Sequence, residues 1–447
     1  MFFIIFTFRA EAVERPNIIL VFIDDMGWSD FSCFGNKDAQ TPHIDALAEE
    51  GIAFEQFYVN SPICSPSRVA ISTGTYPQRW GISSYLAYRK DNKRRGMENW
   101  LDPNAPMLVR ELRESSYMTG HFGKWHMGGQ RDVTDAPIIT DYGFDEYLTN
   151  FEGIGNKLLP LTKRPDGQVK KIWQQAEVLG APVKWVQRYE LTSAFVDASI
   201  EFIKKAKIAN KPFYINLWPD DVHEPFWPPV DKWGDGSKRT LYLSVLESMD
   251  KQLGVLFDFI KMDENLKNNT MILICSDNGP DKGAGEAGPF KGLKALLYEG
   301  GLRSPLIVWG PGLIEEKLRG KRNKNSVFSA IDLVPSLAKI AGVASKGLCD
   351  GEDLSKVLLG KSESSRQKPL FFSRPPDRKN FKGWKNLPDL AIREGRWKLL
   401  CDYDGSRPEL HDLNLDPGEK HNLAKTKPEL VEKLTKQVQT WYSEVSK

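Results

Sequence analysis

Asn17-Ile18-Ile19-Leu20-Val21-Phe22-Ile23 is a near-continuous apolar, β-branched run that stops at Asp24-Asp25. A run without polar alternation suits a strand covered on both faces, as in a parallel sheet flanked by helices. The arrangement recurs. Tyr117–Phe122 empties into Gly123-Lys124-Trp125-His126, and Lys211–Trp218 is followed by Asp220, Asp221 and His223. Met271–Cys275 ends in Ser276-Asp277-Asn278-Gly279, and Leu306–Trp309 in Gly310-Pro311-Gly312.

Helical patterns lie between these runs. Thr41 and Pro42 read as cap and first helical residue, Ile44, Leu47 and Ala48 as one face, and Gly51 as the stop. Pro106–Leu112 reads as another helix. Leu241–Ile260 reads as a long amphipathic one, with Val245, Met249, Leu253, Leu256 and Ile260 at helical spacing. Strand alternating with helix predicts an α/β fold, a large doubly wound and mostly parallel sheet domain. Ligands of such sheets sit beyond the carboxyl ends of the strands. Topology alone therefore gathers Asp24, Asp25, Lys124, His126, His223, Asp277 and Asn278 toward one edge.

Between the first two runs, Cys64 stands at the start of a short helical stretch, with Pro66 in its first turn and Gly74 at its stop. Backbone N–H groups and about half a positive charge gather at a helix start, which predicts a lowered thiol pKa and a welcome for anions. Alone, Cys64 also reads as an inert buried thiol. Asp24-Asp25 and Asp277-Asn278 offer three carboxylates and an amide, all hard oxygen donors. Such a set points to Ca2+ or Mg2+ rather than zinc. Both aspartates of the first pair converge only if the chain turns there, which Met26-Gly27 permits.

The 447 residues allow one large domain and a smaller appendage. Composition shifts at Lys361–Lys368, so residues 13–362 are assigned to the large domain and 363–447 to a small α+β unit. In that unit Leu370-Phe371-Phe372, Leu390–Arg393, Trp397–Leu400 and Glu409–Asp412 read as short antiparallel strands. A final helix carries Leu430, Leu434, Val438, Trp441 and Val445. Asp141–Gln175 reads as a loop-rich insertion of the kind that shapes a binding rim. A net charge of +2 argues for no nucleic-acid partner, and no apolar run is long enough to span a bilayer. Met1–Phe8 with Ala10-Glu11-Ala12 reads as a short signal peptide over residues 1–12, or as a misplaced start or a plain apolar N-terminus. The first implies a periplasmic or secreted protein. Five cysteines make no disulfide framework, so Cys33, Cys275, Cys349 and Cys401 default to free core thiols.

Cys64-Ser65-Pro66-Ser67-Arg68 followed by Ser72-Thr73-Gly74 resembles the signature of the type I sulfatases. Other blocks carry the same resemblance: Asp24–Trp28, Thr41–Asp45 with Leu47-Ala48, Gly123–His126, His223–Phe226, Ser276–Gly279, Lys291-Gly292 and Glu299–Pro305. The tail, with Arg396–Leu399 and Glu409–Asp412, resembles the family's small domain. Ser72 stands where leucine is common and Trp28 where tyrosine is frequent. The resemblance implies an alkaline-phosphatase-like fold. It further implies that Cys64 is oxidised to formylglycine by a maturation enzyme (formylglycine-generating or sulfatase-maturating) and hydrated to a diol.

Carried over by position, the resemblance implies that Asp24, Asp25, Asp277, Asn278 and the group made from Cys64 hold Ca2+, or alternatively Mg2+. Arg68 would fix the diol, and Lys124 and His126 would bond its other hydroxyl. Lys291 and His223 would grip the sulfate. His223 or Lys291 would give a proton to the leaving alcohol, and His126 would take one as sulfate departs. The function implied is hydrolysis of sulfate monoesters, on a sulfated small molecule, carbohydrate or polysaccharide. Two other readings stay open: a phosphate or phosphonate ester hydrolase of the same superfamily, and a non-catalytic glycan-binding relative. The basic run Arg89–Arg95 reads as a solvated loop or a polyanion contact, and Trp125, Trp218 and Trp227 as core or as sugar platforms. His121 reads as structural, and His43 as an exposed first-turn residue.

Overall fold

The computed structural model describes residues 15–446, so the expected signal peptide lies outside the described residues. One large sheet holds twelve strands. They are β1 (Asn17–Ile23), β2 (Ile52–Tyr58), β3 (Met118–Gly123), β4 (Glu146–Thr149), β5 (Lys157–Lys163), β6 (Val169–Lys171), β7 (Val183–Gln187), β8 (Phe213–Trp218), β9 (Thr270–Ser276), β10 (Arg303–Trp309), β11 (Lys321–Asn323) and β12 (Phe328–Ser329). Their order is β11-β2-β10-β9-β1-β8-β3-β4-β5-β6, with β12 beside β2 and β7 beside β5. From β9 to β5 the neighbours are parallel, whereas β10 runs antiparallel to both β9 and β2.

The unbroken apolar character of β1 follows from its two covered faces. Ile18, Leu20 and Phe22 join one core, closed by helices Leu108–Glu114 and Ala330–Ile340. Ile19, Val21 and Ile23 join the other, closed by helices Pro42–Glu50, Leu191–Ile208 and Lys238–Lys261. Each such side chain taken out of water contributes about 1.5–3 kcal/mol. These opposed cores fix the register of the central strands, and so fix which residues emerge at their carboxyl ends.

Several elements depart from the sequence reading. The insertion at Asp141–Gln175 is loop-rich, as expected, but β4, β5 and β6 also extend the large sheet through it. Strand β2 and the helices Leu191–Ile208 and Ala330–Ile340 were not anticipated. In β2 the polar pair Glu55-Gln56 breaks the apolar run, because this strand lies near the sheet edge. His43 is half-buried rather than exposed, because it packs over Gly254, where a Cβ would lie 2.3 Å from its ring. Trp125 and Trp218 are wholly buried, and both meet His121 edge-on at about 5 Å, so all three belong to the core. The basic run is a helix, Arg89–Arg94, whose arginines pair locally with Asp135 and Asp91, while Arg95 pairs with Asp377.

The C-terminal unit is a four-stranded antiparallel sheet, β13 (Leu370–Ser373), β14 (Leu390–Glu394), β15 (Trp397–Cys401) and β16 (Glu409–Asp412), in sequential order. Helix Pro428–Val445 lies on it through Leu434, Val438, Trp441 and Val445. Trp441 stacks on Phe371 at 5.2 Å and meets Tyr76 edge-on at 5.0 Å. The same apolar cluster takes in Ala70 from helix Cys64–Thr73, while Val69 and Ile71 of that helix join the large core. The Cys64 helix is thus gripped between the two units.

Candidate active site

Four adjacent strands, β9, β1, β8 and β3, deliver their carboxyl ends to one place. Asp24 and Asp25 leave β1, Asp277 and Asn278 leave β9, Lys124 and His126 follow β3, and His223 follows β8. The turn that lets both aspartates converge is at Asp25 itself, whose φ is +60°, not at Met26-Gly27. Gly279 lets the ligand loop sit tight, since a Cβ there would lie 1.9 Å from the Gly300 carbonyl.

The charges interlock. Arg68, fully buried, donates from Nη2 to Asp277 Oδ2 at 2.8 Å and from Nη1 to the Lys124 carbonyl at 3.1 Å. Lys124 Nζ donates to Asp24 Oδ2 at 2.6 Å, and Lys294 Nζ to Asp25 Oδ2 at 2.5 Å. Asn278 Nδ2 donates to Asp25 Oδ1 at 2.8 Å, and His223 Nε2 lies 3.5 Å from Asp25 Oδ2. Burial alone would raise the Asp24 carboxyl, but Lys124, His223 and Arg68 hold it well below the usual range. Asp277 is pushed well above that range by burial and by the neighbouring Asp24 charge.

This set fits a hard cation. Asp24, Cys64 and Asp277 each present a ligand atom within 4.8 Å of one another. Within this set, two buried oxygens accept no hydrogen bond from the described residues: Asn278 Oδ1, and Asp24 Oδ1, which lies 3.3 Å from Arg68 Nη2. Buried oxygens are seldom left without a partner, and a divalent cation satisfies several at once while offsetting the repulsion between Asp24 and Asp277.

Cys64 overturns one expectation. Its thiol is pushed up to about 12, not lowered. Burial dominates, and Asp24 and Asp277 add to it, outweighing Lys124, Lys294 and the helix start. A neutral thiol is a poor nucleophile and a poor ligand for a hard cation. The surroundings suit an oxygen-bearing side chain at this position.

Lys291 is a second correction. Its Nζ lies 3.3 Å from Glu409 Oε2 and 3.7 Å over the Tyr298 ring, away from the pocket. Lys294 occupies the pocket instead. Gly292, at φ +93°, turns the segment so that the two lysines face opposite ways. Nothing in the spacing of the two lysines distinguishes them. Burial alone would lower Lys294, yet Asp25 holds it raised and therefore charged.

The pocket is a cavity of about 340 Å3 with Cys64, Lys124, His126, His223 and Lys294 at its base. Phe151 and Trp173 of the insertion and Arg378 and Phe381 of the C-terminal unit line its walls. His126 is held well below its ordinary pKa by burial and by Lys124, and His223 is lowered, chiefly by burial. Glu152, which the sequence reading did not single out, reaches the same cavity and lies 3.1 Å from His126 Nε2.

The sulfatase family model matches residues 16–343, and a model of the N-sulphoglucosamine sulphohydrolase C-terminal region matches residues 285–444. The chain is 30% identical to N-acetylgalactosamine-6-sulfatase of Canis lupus familiaris, over 82% of its own length and 70% of that protein's. It is 29% identical to arylsulfatase A of Homo sapiens, over 96% and 88% of the two chains. A crystal structure of Ps i-CgsB in complex with k-i-k-neocarrahexaose shares the fold at a TM-score of 0.78 and 29% identity, covering 96% of this chain and 93% of that one. The chain belongs to the type I sulfatase family and is a sulfuric ester hydrolase.

Proposed function

We propose that this enzyme hydrolyses sulfate monoesters on a carbohydrate, using formylglycine made from Cys64 and a bound divalent cation, Ca2+. The carrying observation is the ring of hard donors about Cys64, with two buried oxygens lacking partners. When present, the cation and the hydrated aldehyde supply a charge-stabilised hydroxyl nucleophile. Asp24, Asp25, Asp277 and Asn278 would hold the cation.

The chain's own residues do the rest. Lys124 and Lys294 line the cavity floor as fixed positive charges that offset the negative oxygens of a sulfate ester. Preorganised donors of this kind are each worth about 3 kcal/mol in a transition state. His223 sits half-buried at the cavity edge, with its Nδ1 on the Glu224 carbonyl at 2.7 Å. That bond keeps a hydrogen on Nδ1 and leaves Nε2, 3.5 Å from Asp25 Oδ2, as the nitrogen that carries a second proton to the leaving alcohol, a charged form that Asp25 favours against burial. His126, kept neutral by burial and by Lys124, takes a proton as sulfate departs.

A carbohydrate substrate is supported by the relatives' names and by the aromatic walls, Phe151, Trp173 and Phe381, around a cationic floor. Arg378 and Arg131 at the walls suit further anionic groups on the same glycan. Export before action, and conversion of Cys64 by a maturation enzyme, belong to the same proposal. The test is sulfate release from defined sulfated oligosaccharides, alongside an aryl sulfate and an aryl phosphate, using protein co-expressed with a maturation enzyme. Sulfate release is expected. Faster turnover of the phosphate, or glycan binding without release by converted protein, would overturn the reading.

Two outcomes follow from the geometry. Lys294→Ala should lower kcat/KM by about 10^2–10^3, whereas Lys291→Ala, breaking only a half-exposed pair, should change it by less than about two-fold. Steady-state kinetics of both variants check this. Chelation of the cation should abolish turnover and lower the thermal midpoint, by the equivalent of about 2.7 kcal/mol relative to protein with cation at a hundred times its Kd. Calorimetry with and without added Ca2+ reads this out.

A further inference from the structure

We infer that Glu152 is a positioning residue for His126: beside the Leu86 carbonyl, which fixes the ring's tautomer, it stabilises the charge that the ring acquires when it takes up a proton. The inference rests on the proposed role of His126. His126 Nε2 lies 3.1 Å from the Leu86 carbonyl and 3.1 Å from Glu152 Oε1. The Leu86 carbonyl can only accept, so Nε2 carries the hydrogen; Glu152, its carboxyl raised to about 7 by burial, is a second acceptor once ionised. Nδ1 is then left with a lone pair, and it is buried without a partner among the described residues. His126 lines the cavity that holds Cys64, and its acceptor nitrogen with no partner is where a proton would be taken up.

The need for such a partner is electrostatic. Burial, Lys124 and Arg68 all oppose a positive charge on His126. A carboxylate on the far nitrogen offsets that opposition at the moment the ring is charged, the role an orienting acid plays behind a histidine base.

The fold holds Glu152 in place. The strap Asn150–Gly153 is tied to the loop carrying His126 by the Gly153 N–H, which donates to the Gly129 carbonyl at 2.6 Å. From below, buried Lys157 donates to the Gly153 carbonyl at 2.6 Å and to the Asn150 carbonyl at 3.3 Å. Glu152 itself is only 3% exposed, and its second oxygen has no partner. A carboxyl pinned this firmly against a ring nitrogen differs from one that merely closes a surface.

Glu152→Gln, nearly isosteric, is the variant to make, with Glu152→Asp as the conservative control and thermal unfolding confirming that both fold. His126 acts after the alcohol has left. The Gln variant should therefore lose about ten- to a hundred-fold in kcat on an aryl sulfate, as outer-shell partners of this kind typically cost, with kcat/KM kept within about two-fold and a burst of phenol release. The Asp variant should recover part of kcat.

A readout free of turnover uses protein with Cys64 unconverted. Nitrogen-15 NMR of histidine-labelled chain should show His126, identified by its loss in His126→Gln, as the Nε2–H tautomer with a bare Nδ1. An unchanged kcat, equal falls in kcat and kcat/KM, or an Nδ1–H tautomer would overturn the inference. So would a defect seen only as raised KM on sugars, which would make Glu152 a substrate contact. Converted wild-type protein inert toward every sulfate ester would instead sink the reading of function on which the inference rests.

Discussion

Cys64→Ala should reduce sulfate-ester turnover by a factor on the order of 10^4 or more, because the nucleophile itself is removed. The same change should cost the fold little. Cys64 is 2% exposed, but only one sulfur atom is lost, and helix Cys64–Thr73 keeps Val69, Ala70 and Ile71 in their apolar clusters. A cavity of that size costs at most about 1–1.5 kcal/mol. Cation binding should weaken by the loss of one ligand but persist, and anion binding should survive, since Asp24, Asp25, Asp277, Asn278, Lys124 and Lys294 are untouched. Titration calorimetry with Ca2+ and an unreacted sulfate ester, beside a turnover assay, separates loss of chemistry from loss of the site. Loss of both would place Cys64 in the structure of the site and not in its chemistry.

Lys398→Met should be the most destabilising of the substitutions considered. Lys398 Nζ lies 2.9 Å from Glu299 Oε1 and 2.9 Å from Glu419 Oε1, with all three side chains buried. Glu299 also accepts from the Tyr58 hydroxyl at 2.5 Å, and its backbone N–H donates to Glu419 Oε2 at 2.7 Å. Burial would raise Glu299, yet Lys398, Arg303 and Arg393 hold it down at about 2. Glu419 is pushed up by burial and by the charge of Glu299. Removing the lysine leaves two carboxyl groups buried and facing each other.

Breaking a buried pair in this way costs about 3–5 kcal/mol. Denaturant melts of the variant should show it. Because Glu299 begins the segment whose Gly300 carbonyl presses on Gly279, weaker cation binding should accompany the loss. Unchanged stability would mean that water reaches the cluster.

Much of this was legible from residues alone, for a physical reason. Strands such as β1 and β9 are buried on both faces, so their composition is nearly pure, and the break to Asp24-Asp25 or Asp277-Asn278 is abrupt. The strands of the C-terminal unit and the amphipathic pattern of its last helix were equally clear. Elements at the margin were not: β2 mixes Glu55-Gln56 into an apolar run, β4 and β6 are short, and β5 carries Pro160 and a lysine at each end.

In the site, the parts fixed by strand ends were found and the parts fixed by loops were not. Lys294 could not be told from Lys291 without the left-handed turn at Gly292. Glu152 arrives on a strap whose position depends on Lys157 and Gly129, neither of which marks itself in the sequence. The direction of the Cys64 shift is not legible in the sequence, because a helix start is a local feature, whereas burial and the approach of two carboxylates are products of the whole fold.

The central claim is that an aldehyde made from Cys64, seated in a pocket built for a hard cation, performs the hydrolysis. The mass of the peptide ending at Arg68, taken from preparations of differing specific activity on a sulfate ester, tests it most directly. The aldehyde form of residue 64 should rise in proportion to activity across those preparations. Full activity in protein whose residue 64 is wholly thiol would contradict the account.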